Sequence, residues 1–296
     1  MFEKVLVATD LSPASDVLVD CLGFFKTVGT QEIVLAHVIY IALHYPDTGG
    51  QEEAVAQALA PKMESQRRRL EAAGFLVTTI MPVGLPYVEI DRLATENGVD
   101  LIAMGSHGKS LLAEALLGSV SDELVQHTRH PVFVVRMKIL ETNGERRGEV
   151  VCREPFARLL YPTDFSETSE RAFLYVERIV SSGCRAVDLL HVRDHADHAI
   201  HQGGAEAQPD VAHMDRLSQM EKRLRELGAT EVSISAPHGS PASVILGQAR
   251  SGNYSLIVMG SQGRGFLEEI FLGSVAHSVV RQAPIPVLLI PAKRQV

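Results

Sequence analysis

Long hydrophobic runs and an excess of basic residues are both absent from this sequence of 296 residues. No apolar run approaches the roughly 20 residues that a membrane-spanning helix needs, so we expect no membrane insertion. The N-terminal segment MFEKVLVATD has an acid and no long apolar stretch, so it predicts a first strand and not a signal peptide. The formal net charge of −8 argues against general binding to DNA, RNA or anionic membranes.

Cysteine is also scarce, with three scattered residues at Cys21, Cys152 and Cys184 and no CxxC pair. Without a secretory signal, this usage is typical of reduced thiols in a cytoplasmic protein. Hydrophobic residues make up 46% and charged residues 22% of the chain, which is ordinary for a globular protein. The length indicates about two domains.

A glycine-containing stretch occurs twice. MGSHGKSLLAEALLGSVSDELV at 104–125 returns as MGSQGRGFLEEIFLGSVAHSVV at 259–280. Each copy has two glycines three positions apart and, after nine more residues, a Gly-Ser pair. Further landmarks repeat at offsets of 154 or 155, including Asp10 with Asp164, His37 with His191, and Pro131 with Pro286. The sequence therefore predicts two homologous domains, 1–137 and 155–296, joined by a polar linker at 138–154.

Within each half, short apolar strands alternate with amphipathic helices. In the first half the expected strands are 5–8, 32–38, 76–81, 100–105 and 132–136, and the expected helices are 14–27, 51–73, 86–97 and 120–129. The second half repeats the same order. This alternation predicts an α/β protein of two tandem Rossmann-like domains, each a five-stranded parallel sheet with helices on both faces.

The carboxyl ends of these strands carry polar and glycine residues, which such sheets use to bind ligands. In the first half, Thr9-Asp10 ends one strand, His37-Val38 ends the next, and the glycine loop ends the fourth. An apolar wall suits a base, the aspartate suits a ribose hydroxyl, an adenine amino group or metal-bound water, and the loop and following helix suit phosphate. Lys109 and Arg264 occupy matching places beside the second glycines, within reach of a terminal phosphate. The spacing is neither the Walker A pattern nor GxGxxG.

GxxG, nine residues and then G[ST], with the early Thr-Asp and the later Gly-x-Pro, resembles the nucleotide-binding motif of universal stress proteins, and the resemblance covers nearly the whole chain. In that family the complete motif accompanies ATP binding, and final strands pair across a dimer interface. The resemblance implies one site per half. The implied residues are Thr9, Asp10, Val38, Gly105, Gly108, Gly118, Ser119 and Val120 in the first half, and Thr163, Asp164, Val192, Gly260, Gly263, Gly273, Ser274 and Val275 in the second.

The resulting prediction is a cytoplasmic universal stress protein that binds ATP, with or without Mg²⁺, or AMP, and acts in stress sensing or signalling. By the same resemblance, the two halves are expected to form a dimer-like pair within one chain, with a further homodimer as a family expectation. One alternative is a slow ATPase, although the sequence offers no repeated general base and we assign no catalytic residue. The other is an interaction module that works without nucleotide.

A cluster of histidines in the second half has two possible interpretations. His191, His195, His198, His201 and His213 are interleaved with acids, a spacing compatible with metal ligands or with a solvated polar loop. The first half does not share this cluster, so we assign no metal. His37 and His191 themselves are predicted to be packed strand-end residues.

Overall fold

A computed structural model describes residues 2–40, 51–106, 117–142, 145–150, 154–193, 208–263 and 272–292. The chain divides into two compact units, Met1–Arg153 and Glu154–Val296, which we call the first half and the second half. Within the described ranges, no helix combines the length and the apolar character needed to cross a membrane.

The first half is built on a parallel sheet. Its strands are β1 (Lys4–Ala8), β2 (Glu32–Ala36), β3 (Leu76–Ile80), β4 (Leu101–Gly105) and β5 (Val132–Val135). They are arranged in the order β3-β2-β1-β4-β5, and every neighbouring pair is parallel. The central strands are almost continuously apolar and buried because helices cover both faces of the sheet.

The helices of this half are α1 (Pro13–Cys21), α2 (Gln51–Ala72), α3 (Pro86–Glu96) and α4 (Ser119–His127). α1 packs against α2, and α3 packs against α4. Because crossovers between parallel strands are right-handed, the strand order places the first pair on one face and the second pair on the other.

The predicted helix at 14–27 is wrong in one respect. The α-helix ends at Cys21, and Leu22–Val28 continues as a 3₁₀ helix. Leu22, Phe25 and Val28 are all buried, and their spacing of three residues matches the three residues per turn of a 3₁₀ helix. The tighter winding therefore turns all three side chains towards the core.

The predicted linker at 138–154 overlaps an antiparallel hairpin. Its strands are β6 (Met137–Thr142) and β7 (Glu145–Val150), which pair from Met137 with Val150 to Thr142 with Glu145. The mixed charges of this stretch gave no alternating apolar pattern from which a hairpin could be predicted.

The second half repeats the first. Its strands are β8 (Arg158–Pro162), β9 (Ala186–Leu190), β10 (Glu231–Ser235), β11 (Leu256–Gly260) and β12 (Val287–Ile290), and its helices are α5 (Glu167–Ser181), α6 (Gln208–Glu226), α7 (Pro241–Ser251) and α8 (Ser274–Gln282). The parallel order is β10-β9-β8-β11-β12. The predicted fold class is therefore confirmed.

In both sheets the chain reverses its direction of strand addition beside the first strand. β1 lies between β2 and β4, and β8 lies between β9 and β11. The crevice at the carboxyl ends of β1 and β4, and the equivalent crevice at β8 and β11, is where such sheets accept ligands.

Candidate functional site

The first strand of each half ends in a Thr-Asp pair, and the residue after the aspartate has an unusual backbone. Leu11 has φ 57° and Phe165 has φ 60°, so both lie in the left-handed region that favours glycine. The threonine hydroxyl accepts the N–H of this residue, at 3.1 Å for Leu11 and 3.0 Å for Phe165. A left-handed residue with a side chain costs about 1–2 kcal/mol and is often found at functional sites. These turns could not be predicted from the sequence, since neither residue is glycine, asparagine or aspartate.

Asp10 is held by the start of α1 through one of its two carboxylate oxygens. The backbone N–H and the hydroxyl of Ser12 donate to Oδ1 at 3.1 and 2.6 Å. Ser12 is also the N-cap of α1, where its side chain accepts the N–H of Ser15. The other oxygen, Oδ2, is buried and has no hydrogen-bond partner among the described residues. Because a buried acceptor without a donor is costly, Oδ2 is available to a ligand hydroxyl, amino group or cation.

The equivalent Asp164 links the first strand of the second half to its glycine loop. Its Oδ1 accepts the N–H of Ser166 at 3.0 Å, and Ser166 is the N-cap of α5. The Ser166 hydroxyl is also 3.4 Å from the carbonyl oxygen of Gln262, to which it donates. The start of α5 therefore positions both the acid and the loop.

A buried histidine supports each Thr-Asp turn from the second strand. Nδ1 of His37 lies 2.8 Å from the carbonyl oxygen of Thr9, and Nδ1 of His191 lies 2.9 Å from that of Thr163. A carbonyl only accepts, so Nδ1 carries the proton and donates. Both rings are buried, at 6% and 1% exposure. The prediction that they are packed strand-end residues is confirmed.

The two ends of each glycine loop lie close together. In the first half, Gly118 N–H donates to the carbonyl of Ser106 at 2.8 Å, and the Ser121 hydroxyl donates to that of Gly105 at 3.0 Å. In the second half, Gly273 N–H donates to the carbonyl of Ser261 at 2.7 Å. The end of the fourth strand is thereby joined to the start of the helix that follows it.

The two glycines of the second-half GxxG loop, Gly260 and Gly263, lie in close contact with neighbouring groups. A Cβ on Gly260 would lie 2.9 Å from the backbone of Thr168 in α5. A Cβ on Gly263 would lie 2.6 Å from Oδ2 of Asp164. No side chain fits at either position without displacing its neighbour, so the GxxG spacing here reflects a crowded site and not only a flexible turn.

Each glycine loop leads into a helix whose N-terminus has no side-chain cap. The N-cap residues are Gly118 for α4 and Gly273 for α8, and neither position has a side chain to accept the first N–H groups. These N–H groups and the helix dipole favour an anion at the same end. The arrangement can therefore bind phosphate or carboxylate.

In the first half these parts surround a cavity of about 340 Å³. Every predicted site residue that falls in the described ranges of this half lines it, namely Thr9, Asp10, Val38, Gly105, Gly118, Ser119 and Val120. The predicted Gly108 and Lys109 lie outside the described residues, as does Arg264 of the second half. The sequence prediction missed the contributions of α1 and α3, which add Ala14, Leu18, Pro86 and Ile90 to the lining. The contribution of α3 could have been predicted from the Gly-x-Pro motif at 84–86, because its proline begins this helix and lines the cavity.

The predicted residues of the second half follow the same pattern. Thr163 and Asp164 follow β8, Val192 follows β9 after one residue, and Gly260 ends β11. Ser274 and Val275 begin α8, directly after Gly273. The close approach of Gly263 to Asp164 and the hydrogen bond from Gly273 to Ser261 bring these residues to one place. Whether these residues bind a ligand stays a prediction.

Residues 1–136 and 155–291 each match the sequence model of the Universal stress protein family. The chain belongs to the universal stress protein family. The two matches correspond to the two halves, so this universal stress protein has the tandem arrangement that the internal repeat predicted. The resemblance stated from the motifs is confirmed.

Individual relatives agree with this assignment. The crystal structure of a universal stress protein from Archaeoglobus fulgidus is similar over 98% of both chains, with 28% identity and a TM-score of 0.74. Universal stress protein Rv2005c of Mycobacterium tuberculosis is 29% identical over 247 residues, which cover 82% of this chain and 77% of that protein. Universal stress protein MJ0577 of Methanocaldococcus jannaschii is 34% identical over 157 residues, which cover 47% of this chain and 97% of that protein.

Two histidines of the second-half cluster of this universal stress protein pack against aromatic groups. The ring of Phe165 lies 4.8 Å from that of His191 and 5.2 Å from that of His213, and the Arg216 guanidinium lies 4.4 Å above Phe165. His195, His198 and His201 lie outside the described residues. Within the described ranges, no group of three or more His, Cys, Asp or Glu is placed to hold a metal ion.

Proposed function

We propose that this universal stress protein binds adenine nucleotide in each half, as ATP with Mg²⁺ or as AMP, and acts in stress sensing or signalling in the cytoplasm through a nucleotide-dependent surface. The observation that carries this proposal is the first-half cavity at the carboxyl ends of β1 and β4, where the strand order reverses. Its volume of about 340 Å³ falls within the range of small-molecule sites, about 300–1,000 Å³. Composition and scattered cysteines support the cytoplasmic location.

The lining of the cavity supports a nucleotide over a simple anion. Val38, Ile90 and Met104 give it an apolar portion suited to a base. Oδ2 of Asp10, buried and without a donor among the described residues, suits a ribose hydroxyl, an adenine amino group or a Mg²⁺-bound water. The uncapped start of α4 suits phosphate. These three chemistries in one cavity match the three parts of a nucleotide.

We expect binding without rapid turnover. Hydrolysis needs a group that orients water at the terminal phosphate. The repeated acids of the two sites, Asp10 and Asp164, instead accept hydrogen bonds from Ser12 and Ser166 at the starts of α1 and α5. Their roles in the proposal are therefore to bind and orient nucleotide.

Calorimetric titration of nucleotide-stripped protein tests the proposal. ATP, AMP and GTP are titrated with and without Mg²⁺, and phosphate release is followed in parallel. We expect two adenine nucleotides per chain, weaker GTP binding and negligible release. Clear release would favour a slow ATPase, and no binding at millimolar nucleotide would favour an interaction module with structural glycine loops.

Site variants assign the binding events. Asp10→Ala and Asp164→Ala are each expected to remove one nucleotide per chain, and the double variant both. Asp20→Ala is the matched control, because Asp20 lies in the last turn of α1, at the opposite end of the helix from Asp10, where it is exposed and pairs with Arg69. An unchanged stoichiometry in the double variant would overturn the assignment of these sites.

A further inference from the structure

Helix α2 of the first half contains a fully buried amide. Gln66 has 0% exposure and lies between Met63 and Leu70, which are also buried and lie about one turn away on either side. At the repeat offset of 154, the second half has Leu217, Met220 and Leu224 in these places, all buried. The two flanking positions are therefore apolar in both halves, and only the middle one is polar in the first half.

The side-chain hydrogen bonds of Gln66 lead towards the candidate site. Its Oε1 accepts from the hydroxyl of Thr9 at 2.8 Å. Its Nε2 donates to Oδ1 of Asp16 at 2.7 Å and, more weakly, to the hydroxyl of Ser15 at 3.4 Å. The Asp16 carboxylate can only accept, so the amide nitrogen must face it and the amide oxygen must face Thr9.

The bond to Thr9 fixes the direction of the threonine hydroxyl. With its proton directed to Gln66, the oxygen keeps a lone pair for the N–H of Leu11, which it accepts at 3.1 Å. That N–H belongs to the left-handed residue that follows Asp10. Gln66 is thus connected, through one hydroxyl, to the strained turn beside the acid of the cavity.

The second half reaches the same result without an amide. There the Thr163 hydroxyl donates directly to the Ser169 hydroxyl at 3.1 Å and accepts the N–H of Phe165 at 3.0 Å. Met220 occupies the position of Gln66. The fold therefore does not require an amide at this position. Because a buried polar group is costly unless it is hydrogen-bonded, we look for the role of Gln66 in the contacts that it makes in the first half.

We propose that Gln66 is a positioning residue for the nucleotide site of the first half. It holds the Thr9 hydroxyl in the orientation that supports the left-handed turn, and it thereby ties α2 to the placement of Asp10. This inference rests on the proposed nucleotide binding, and it makes the two sites dependent on different supporting side chains.

Calorimetry of Gln66→Met tests the inference, in a full-length Asp164→Ala background so that only the first site is titrated with ATP. Methionine is similar in size and is the residue of the second half, so the fold is expected to persist. We expect ATP binding about five-fold weaker, the effect of one net hydrogen bond. Met63→Leu is the matched control: it also installs the second-half residue on the same buried face, but we expect unchanged affinity.

A double-mutant cycle separates positioning from a merely structural effect. If Gln66 acts through Thr9, Gln66→Met should weaken ATP binding little further once Thr9→Val has removed the hydroxyl. An unchanged affinity in Gln66→Met, or losses that simply add in the double variant, would overturn the inference. If the parent protein binds no nucleotide, the proposed function fails first, which the titration of the parent shows separately.

Discussion

Gly263 faces the carboxylate of Asp164 so closely that a Cβ on the glycine would lie 2.6 Å from Oδ2. The carboxylate cannot turn away freely, because its other oxygen accepts the N–H of Ser166 at 3.0 Å. The glycine of the loop and the acid of the first strand, about 100 residues apart in the chain, are therefore two sides of one contact.

Gly263→Ala should impair the second site with little effect on stability. The added methyl displaces the Asp164 carboxylate, whereas Gly263 itself is exposed and supports no core packing. We expect nucleotide affinity at this site to fall by about ten-fold, which corresponds to about 1.4 kcal/mol. Titration with ATP measures this affinity in two proteins, Asp10→Ala alone and Asp10→Ala combined with Gly263→Ala. Equal affinity in both proteins would mean that this contact is not part of the site.

Gly247→Ala is the matched glycine change in the same half, and it should stabilise the protein. Gly247 lies inside α7, is exposed, and has no heavy atom within 4 Å of the position a Cβ would take. Alanine in a helix interior is favoured over glycine by about 0.5–1 kcal/mol. Urea unfolding should show a higher midpoint, with nucleotide affinity unchanged. A lower midpoint would contradict the open surroundings of this position.

His130→Ile should reduce the acid sensitivity of the first half. Burial lowers the pKa of His130 below 6.5, and Asp91 only partly opposes this effect. The unfolded chain therefore binds a proton at this histidine more readily than the folded chain does. The stability that is present above pH 6.5 is lost as the pH falls from 6.5 towards the pKa of the folded state. Isoleucine occupies the equivalent buried position 285. Urea midpoints measured on both sides of pH 6.5 should decline less in the variant, and parallel pH curves would refute the assignment.

Cys184 should be nearly unreactive in the folded protein. It is 5% exposed, and burial raises the pKa of its thiol, so little thiolate is present near neutral pH. In a Cys21→Ser/Cys152→Ser variant, a thiol reagent should label Cys184 slowly in buffer and rapidly in urea. Labelling in buffer as fast as that of the unfolded chain would show that this part of the second half opens readily.

The local features of the site were predictable because they repeat in the sequence. The Thr-Asp pair, the GxxG loop and the Gly-Ser pair each follow an apolar strand, and their chemistry depends on backbone groups and on short side chains. Parallel strands bring their carboxyl ends to one edge, so the assembly of Asp10 with Gly105 and Gly118 follows from the strand pattern.

The features that escaped prediction depend on contacts between distant segments. The left-handed turns at Leu11 and Phe165 occur in residues that give no such signal, and they are supported by threonine hydroxyls and buried histidines. Gln66 gave no signal either, since a glutamine in a helix is usually exposed and its burial depends on how α2 packs against α1. The hairpin β6–β7 likewise arises from pairing of two mixed-charge segments.

The sequence by itself determined the two-fold repeat, the family, the alternation of strands and helices, and the residues at the strand ends. These properties are carried by the spacing of apolar residues and glycines, which is local. The tertiary structure decided which oxygen of Asp10 stays available, why a side chain at Gly260 or Gly263 would displace its neighbour, and how each half supports its threonine. The contacts of Gln66 with Thr9 and of Gly263 with Asp164 join segments far apart in the chain at distances of a few ångströms, which no local pattern specifies.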